Sequence, residues 1–130
     1  MSIVELHADA ERLERSITPR LEAEFRWIVA HVCVEFGVPR AELFRRCRRR
    51  RLASARFAAW GLARKYTRLT LEDLARLSQP AEARPHHTTV LNGLERFADL
   101  QETDVEFRRH IGRIERQLAA EFAPRMALAA

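Results

Sequence analysis

The chain is short of the residues that staple, interrupt or span. Two cysteines in 130 residues, Cys33 and Cys47, cannot build a disulfide framework and do not sit at metal-ligand spacing. Four glycines and five prolines exclude a long linker or low-complexity tract. The aromatic-rich strands of the common RNA modules are missing, as is any long strand signal or internal repeat. No apolar run reaches the roughly 20 residues of a membrane-spanning helix. The first residues, MSIVELHADAERLER, turn acidic too soon for a signal peptide. No glycine-rich phosphate loop and no nucleophile–base–orienter pattern is visible, so neither an enzyme nor a cofactor is expected. What is present suits one domain with a real core, since 47% of residues are hydrophobic. A reducing, cytoplasmic setting is the expectation.

Acid is missing from one stretch above all. Between Arg40 and Arg68 there are 11 basic side chains and a single acidic one, Glu42. That stretch therefore carries +10, and the rest of the chain must carry −5 to give the overall +5. Six of the seven residues from Arg45 to Arg51 are arginine, too dense to pair locally and destabilising through self-repulsion. A polyanion is the natural partner, with a membrane surface as the competing one. Cys47 lies within this run, where neighbouring positive charge would lower its thiol pKa; Cys33 reads as a small core residue.

Apolar residues recur at helical spacing along the rest of the chain. The pattern predicts a first helix over 3–16. Thr18 then reads as an N-cap with Pro19 at the first helical position. The helix it opens has Leu21, Phe25, Ile28, Val29, Val32 and Phe36 on its buried side, and Gly37 ends it. A short helix follows Pro39, with Leu43 and Phe44 turned to the core. Another starts near Ala53, buried along Leu52, Ala55, Ala59, Leu62, Ala63 and Tyr66. Thr70 and Asp73 form a capping box for a helix over 70–77, and Ser78–Pro85 reads as a polar loop. A helix over 87–97 places Val90, Leu91, Leu94 and Phe97 on roughly one face. The last helix is predicted over 105–122. The organisation expected is a helical extension at 1–20, a compact helical unit at 21–122 and a flexible tail at 123–130. The helices at 70–77 and 87–97 form a helix-turn-helix-like pair, with a longer loop than the tight motif has.

Four segments carry a resemblance: VCVEFGVPRAELFRR, RRRRLASARFAAWGLARKYT, LTLEDLARL and HHTTVLNGLERF. Together they resemble the C-terminal DNA-binding domain of the bacterial replication initiator DnaA, over about Ile28–Phe97 and more loosely the last helix. The resemblance implies an all-α, compact multi-helix domain with a DnaA-like or Trp-repressor-like helix-turn-helix that binds double-stranded DNA. In that family the helix with the Thr-Thr pair enters the major groove, and the arginine-rich segment supplies backbone contacts and a minor-groove arginine. His87, Thr88 and Thr89 match the family's His-Thr-Thr. Arg50 or Arg51 fits the basic-loop position, and Arg56 matches the arginine that follows an alanine. The family commonly has Gly-Gly-Arg-Asp before that histidine. Here Glu82, Ala83, Arg84, Pro85 and His86 stand there, with His86 in the aspartate's place. An aspartate accepts from cytosine or caps the helix; a histidine does neither in the same way, so a different preferred DNA sequence is expected.

The candidate DNA-binding residues are Arg45, Arg46, Arg48, Arg49, Arg50, Arg51, Arg56, Lys65 and Arg68 for the backbone, and His86, His87, Thr88, Thr89 and Asn92 for the groove. Threonine methyls can meet thymine methyls, and an outward Asn92 can make a bidentate contact with adenine. No residue is expected to hold a metal. The function expected is transcriptional regulation or co-activation, with prophage-like or gene-transfer-agent promoters one setting the resemblance suggests. The alternatives are an accessory modulator of replication initiation, or an adaptor that mainly binds protein through residues 1–20 and Arg108, Arg109, Arg113 and Arg116. A single module of this kind covers about 600–1,000 Å² of DNA-facing surface, which leaves the oligomeric state and a transcription or replication partner open.

Overall fold

The computed structural model describes residues 17–45, 49–78 and 85–129, with side chains as far as Glu121. The predicted helix at 3–16, Arg46, Cys47, Arg48 and Arg84 lie outside the described residues. Six helices follow one another, and no strand occurs among the described residues: α1 (Pro19–Phe36), α2 (Arg40–Leu43), α3 (Arg50–Tyr66), α4 (Leu71–Ser78), α5 (His87–Thr103) and α6 (Val105–Ala129).

Local chemistry sets the boundaries. Thr18 Oγ1 accepts from the Leu21 N–H at 3.2 Å, and Pro19 adds a preset φ at the first turn. Gly37 ends α1 in the left-handed region at φ 66, where a Cβ would be strained. Thr70 and Asp73 make the reciprocal capping box: the Asp73 N–H donates to Thr70 Oγ1 at 3.1 Å, and the Thr70 N–H donates to Asp73 Oδ2 at 3.0 Å. α5 runs on through the polar DLQETD stretch. Leu100 keeps its apolar side going, and the Arg108 guanidinium donates to the Gln101 and Glu102 carbonyls at 2.8 and 2.9 Å. Those carbonyls would otherwise be left over at the helix end. α6 likewise continues as helix past the predicted end at Phe122 to Ala129.

The core is centred on α3, which packs against α1, α5 and, more lightly, α2 and α6. Ala55, Ala58, Ala59, Leu62 and Ala63 are fully buried along α3; small side chains let the neighbouring helix axes come close. Trp60 sits among them with 1% of its surface exposed. Its indole N–H donates to Ser78 Oγ at 2.8 Å, and the Ser78 hydroxyl donates onward to the Leu74 carbonyl at 2.5 Å. This buried chain ties the middle of α3 to the last turn of α4. Phe44 stacks on Trp60 at 6.1 Å between centroids, and Phe25 stacks on Phe44 at 6.0 Å.

α6 closes the far side with Phe107, Ile111, Ile114 and Leu118, all nearly or fully buried. Polar bridges flank that apolar seam. Glu35 of α1 accepts from Arg113 Nε at 2.5 Å and lies 2.9 Å from His110 Nδ1. Burial alone would raise the Glu35 carboxyl, but its hydrogen bonds and charge contacts with His110 and Arg113 outweigh burial and hold it below the ordinary glutamate range. Because the folded value is lowered, this bridge stabilises fully above the unfolded glutamate value of about 4.3 and fades as pH falls through the folded value. Glu35→Gln should therefore lower stability at neutral pH and change it progressively less below about pH 4. Urea midpoints across that range check it; an unchanged gap at low pH would refute it.

Candidate nucleic-acid interface

The groove-facing candidates fall on the first turns of α5. His86 is its N-cap in extended conformation, and its Nδ1 accepts from the Thr88 N–H at 3.2 Å. Nδ1 also lies 2.9 Å from Thr88 Oγ1. An imidazole lone pair thus does what the family's aspartate would do as a cap, which corrects the expectation drawn from its chemistry. In this cap Nδ1 acts as the acceptor. The His87 ring packs over that of His86 at 4.1 Å. His86, His87, Thr88, Thr89 and Asn92 are all exposed, whereas Val90 is fully buried. Leu91 departs from the predicted apolar face and keeps 42% of its surface in solvent.

Two close approaches fix this helix against α3. A Cβ placed on Gly93 of α5 would overlap the Trp60 ring, and a Cβ on Gly61 of α3 would overlap the Phe97 ring. Each helix therefore receives an aromatic ring of the other at a glycine. Gly61 and Gly93 carry no functional group, and the Trp60 indole N–H is used inside the core, so all three escape a reading of the sequence by chemistry. The signal that points to them is a pair of lone glycines inside helical patterns, where each costs about 1 kcal/mol unless close packing needs it.

The basic residues divide by what they touch. Arg45, Arg49, Arg50, Arg51 and Arg68 are exposed. Arg49 is the N-cap residue of α3 but makes no capping bond, and the first turn of α3 holds no acidic residue. Arginines at the positive end of a helix macrodipole are each unfavourable by about 0.3–1 kcal/mol. An anion placed there would remove the repulsion and accept from the first N–H groups of the helix. Arg56 turns inward instead: Nε donates to the Leu43 carbonyl at 3.0 Å and Nη2 to the Arg45 carbonyl at 2.6 Å. Its visible work is to brace the end of the segment that leads into the arginine run. Lys65 is paired with Glu115 of α6 at 2.6 Å, and the Tyr66 hydroxyl donates to the same Glu115 oxygen. Burial, then the Glu115 hydrogen bond and charge, push the Tyr66 phenol upward. Lys65 thus has a structural ion-pair partner of its own.

The two sets do not form one cluster. Arg50 and Arg51 share an open cavity of about 820 Å³ with Leu100 and Thr103 at the C-terminal end of α5. The threonine pair sits at its N-terminal end. α5 has 17 residues, so the two ends stand roughly 25 Å apart along its axis. Burial pushes the Cys33 thiol up, partly opposed by the Arg40 charge, and the residue packs as core. Among the described residues no three His, Cys, Asp or Glu side chains are grouped to hold a metal ion, and no helix is long and apolar enough to cross a membrane.

An exposed polar first turn, carried on the second helix of an α4–α5 pair and held rigidly by α3, defines an all-helical DNA-binding domain of the helix-turn-helix class. The comparisons give the family. The model described as bacterial dnaA protein helix-turn-helix matches residues 26–96, more than half of the chain, and the chain belongs to that family. The helix-turn-helix of that family is a DNA-binding unit. The chromosomal replication initiator protein DnaA of Synechococcus sp. (strain JA-2-3B'a(2-13)) is 33% identical over 87 residues, which is 67% of this chain and 18% of that relative. The chain thus spans under a fifth of the relative's length. No solved structure matches.

Proposed function

We propose that this chain reads specific double-stranded DNA sites as an accessory modulator of replication initiation, in the cytoplasm at the nucleoid. The observation that carries the reading is the arrangement along α5. Its exposed first turn, with Thr88 and Thr89, faces outward at one end, and the uncompensated arginines of α3 stand at the other. A span of roughly 25 Å compares with a B-DNA turn of about 34 Å. One end can enter the major groove while the other meets the backbone or the neighbouring minor groove. The similarity to a replication initiator favours origin-like sites. We take residues 21–122 as the DNA-binding unit.

A second reading, transcriptional regulation or co-activation, draws support from one local difference. His86 caps α5 where the family has an aspartate, so cytosine loses an acceptor there and the preferred site shifts away from the initiator's box. A shifted site directs the protein to other loci, promoters of prophage-like or gene-transfer-agent genes among them. The adaptor reading is weakened, because Arg108 and Arg113 are used within the fold.

Chromatin immunoprecipitation of the tagged protein beside the double variant Thr88→Ala, Thr89→Ala tests these readings. Sharp peaks at the origin that vanish in the variant are the expected result. Peaks at promoters would transfer the conclusion to the second reading, and a flat profile would overturn both. In vitro, Arg56→Lys should weaken binding on the order of tenfold, by releasing two charged hydrogen bonds that position the arginine run. Its salt dependence should stay unchanged, because no phosphate contact is removed. A salt slope lower by about one unit would instead make Arg56 a direct contact.

A further inference from the structure

The outward seam of α5 runs through Thr88, Leu91, Asn92 and Glu95, at intervals of three and four residues. All four are exposed, and three of them are polar. Leu91 is the exception. It is the one large hydrophobic residue of α5 among the exposed ones, and it is absent from the side chains packed on the core. Neither burial nor a hydrogen bond explains a leucine there.

We infer that Leu91 is a specificity-determining residue that packs on the 5-methyl group of a thymine, one base step beyond the base faced by Thr88. The inference rests on α5 being the helix that enters the major groove. The edges of the base pairs in that groove carry one apolar group, the thymine methyl. From Thr88 to Leu91 the helix rises about 4.5 Å, close to the roughly 3.4 Å between successive bases on one strand. Covering the methyl removes apolar surface of both groups from water. A cytosine, or a thymine stripped of its methyl, offers nothing in exchange. Asn92 lies beside Leu91 on the same seam and can take adenine through paired hydrogen bonds. The two side chains together favour an A·T-containing step under the second turn of α5.

The test uses the full chain and a duplex enriched by it from a random-sequence library. Each thymine of that duplex is replaced singly by deoxyuridine, which deletes only the methyl. Dissociation constants are then measured for the wild type, Leu91→Ala and Leu91→Met. One replacement should weaken wild-type binding about fourfold, the value of one buried methyl-sized group. That same replacement should leave Leu91→Ala unaffected and still weaken Leu91→Met, while losses under the threonines persist in all three proteins. If every deoxyuridine loss survives in Leu91→Ala, or no replacement matters, the inference is overturned and the enriched site still stands for DNA reading. If no sequence is enriched, the inference fails together with the reading beneath it. Leu91 is exposed, so circular dichroism should show all three proteins equally helical.

Discussion

Trp60→Ala should lower folding stability by about 3–5 kcal/mol, the range for truncating a large buried aromatic side chain. Three of its contacts disappear together: the stack on Phe44, the bond to Ser78, and the ring seated against Gly93. The Ser78 hydroxyl keeps its bond to the Leu74 carbonyl, so no buried donor is stranded, and the loss comes chiefly from the cavity and lost packing. For a domain with a total stability of about 5–15 kcal/mol, such a loss approaches global unfolding. Urea titration followed by circular dichroism gives the number. Trp60→Phe separates the contributions, since it fills most of the volume but gives up the Ser78 bond, and should cost markedly less. A loss under about 1 kcal/mol for Trp60→Ala would show that α3 and α5 are not held through this ring.

Replacing Arg49, Arg50 and Arg51 with alanine should weaken DNA binding on the order of 10²–10³-fold near 0.1 M salt and flatten the salt dependence by roughly 2.7 logarithmic units. Each phosphate neutralised contributes about 0.9 to that slope, and the three guanidinium groups are exposed. The same variant should be slightly more stable than the wild type. Three like charges leave the positive end of α3, and each is unfavourable by some tenths of a kcal/mol. Opposite signs for binding and stability are the signature of residues kept for a ligand. Filter-binding titrations from 50 to about 200 mM salt, with thermal melts of the free proteins, measure both. A variant that loses stability along with affinity would show the arginines to be structural.

Much of the backbone could be anticipated because the relevant signals are local. Thr18 with Pro19, Gly37, and the Thr70–Asp73 box each act within a few residues and stand where expected. The resemblance located the exposed first turn of α5 for the same reason, since His87, Thr88 and Thr89 are contiguous. The rest depends on distances between segments. Periodicity marks which side of a helix is apolar but not how near the neighbouring helix comes, so Gly61 and Gly93 passed as ordinary helical positions. Leu91 lies at the margin of the apolar stripe, where a small rotation of the helix decides between core and solvent. The inward turn of Arg56 and the Lys65–Glu115 pair could not be foreseen, because charge is visible in a sequence whereas a partner 50 residues away is not. The helix expected over 87–97 stops short of DLQETD, yet α5 runs through it to Thr103, and two of its carbonyls are capped from the next helix by Arg108.

The exchange of rings between α3 and α5 also bears on how such a reader changes its address. Phe97 against Gly61 and Trp60 against Gly93 resist both sliding and rolling of α5. If α5 is the helix that enters the groove, as proposed, new specificity is hard to reach by moving it there. It is open to substitution at Thr88, Leu91, Asn92 and Glu95, which project away from the contact and can vary with little effect on folding. On that reading the domain is a fixed grip with a replaceable inscription, open to redirection one outward residue at a time while the interlock stays as it is.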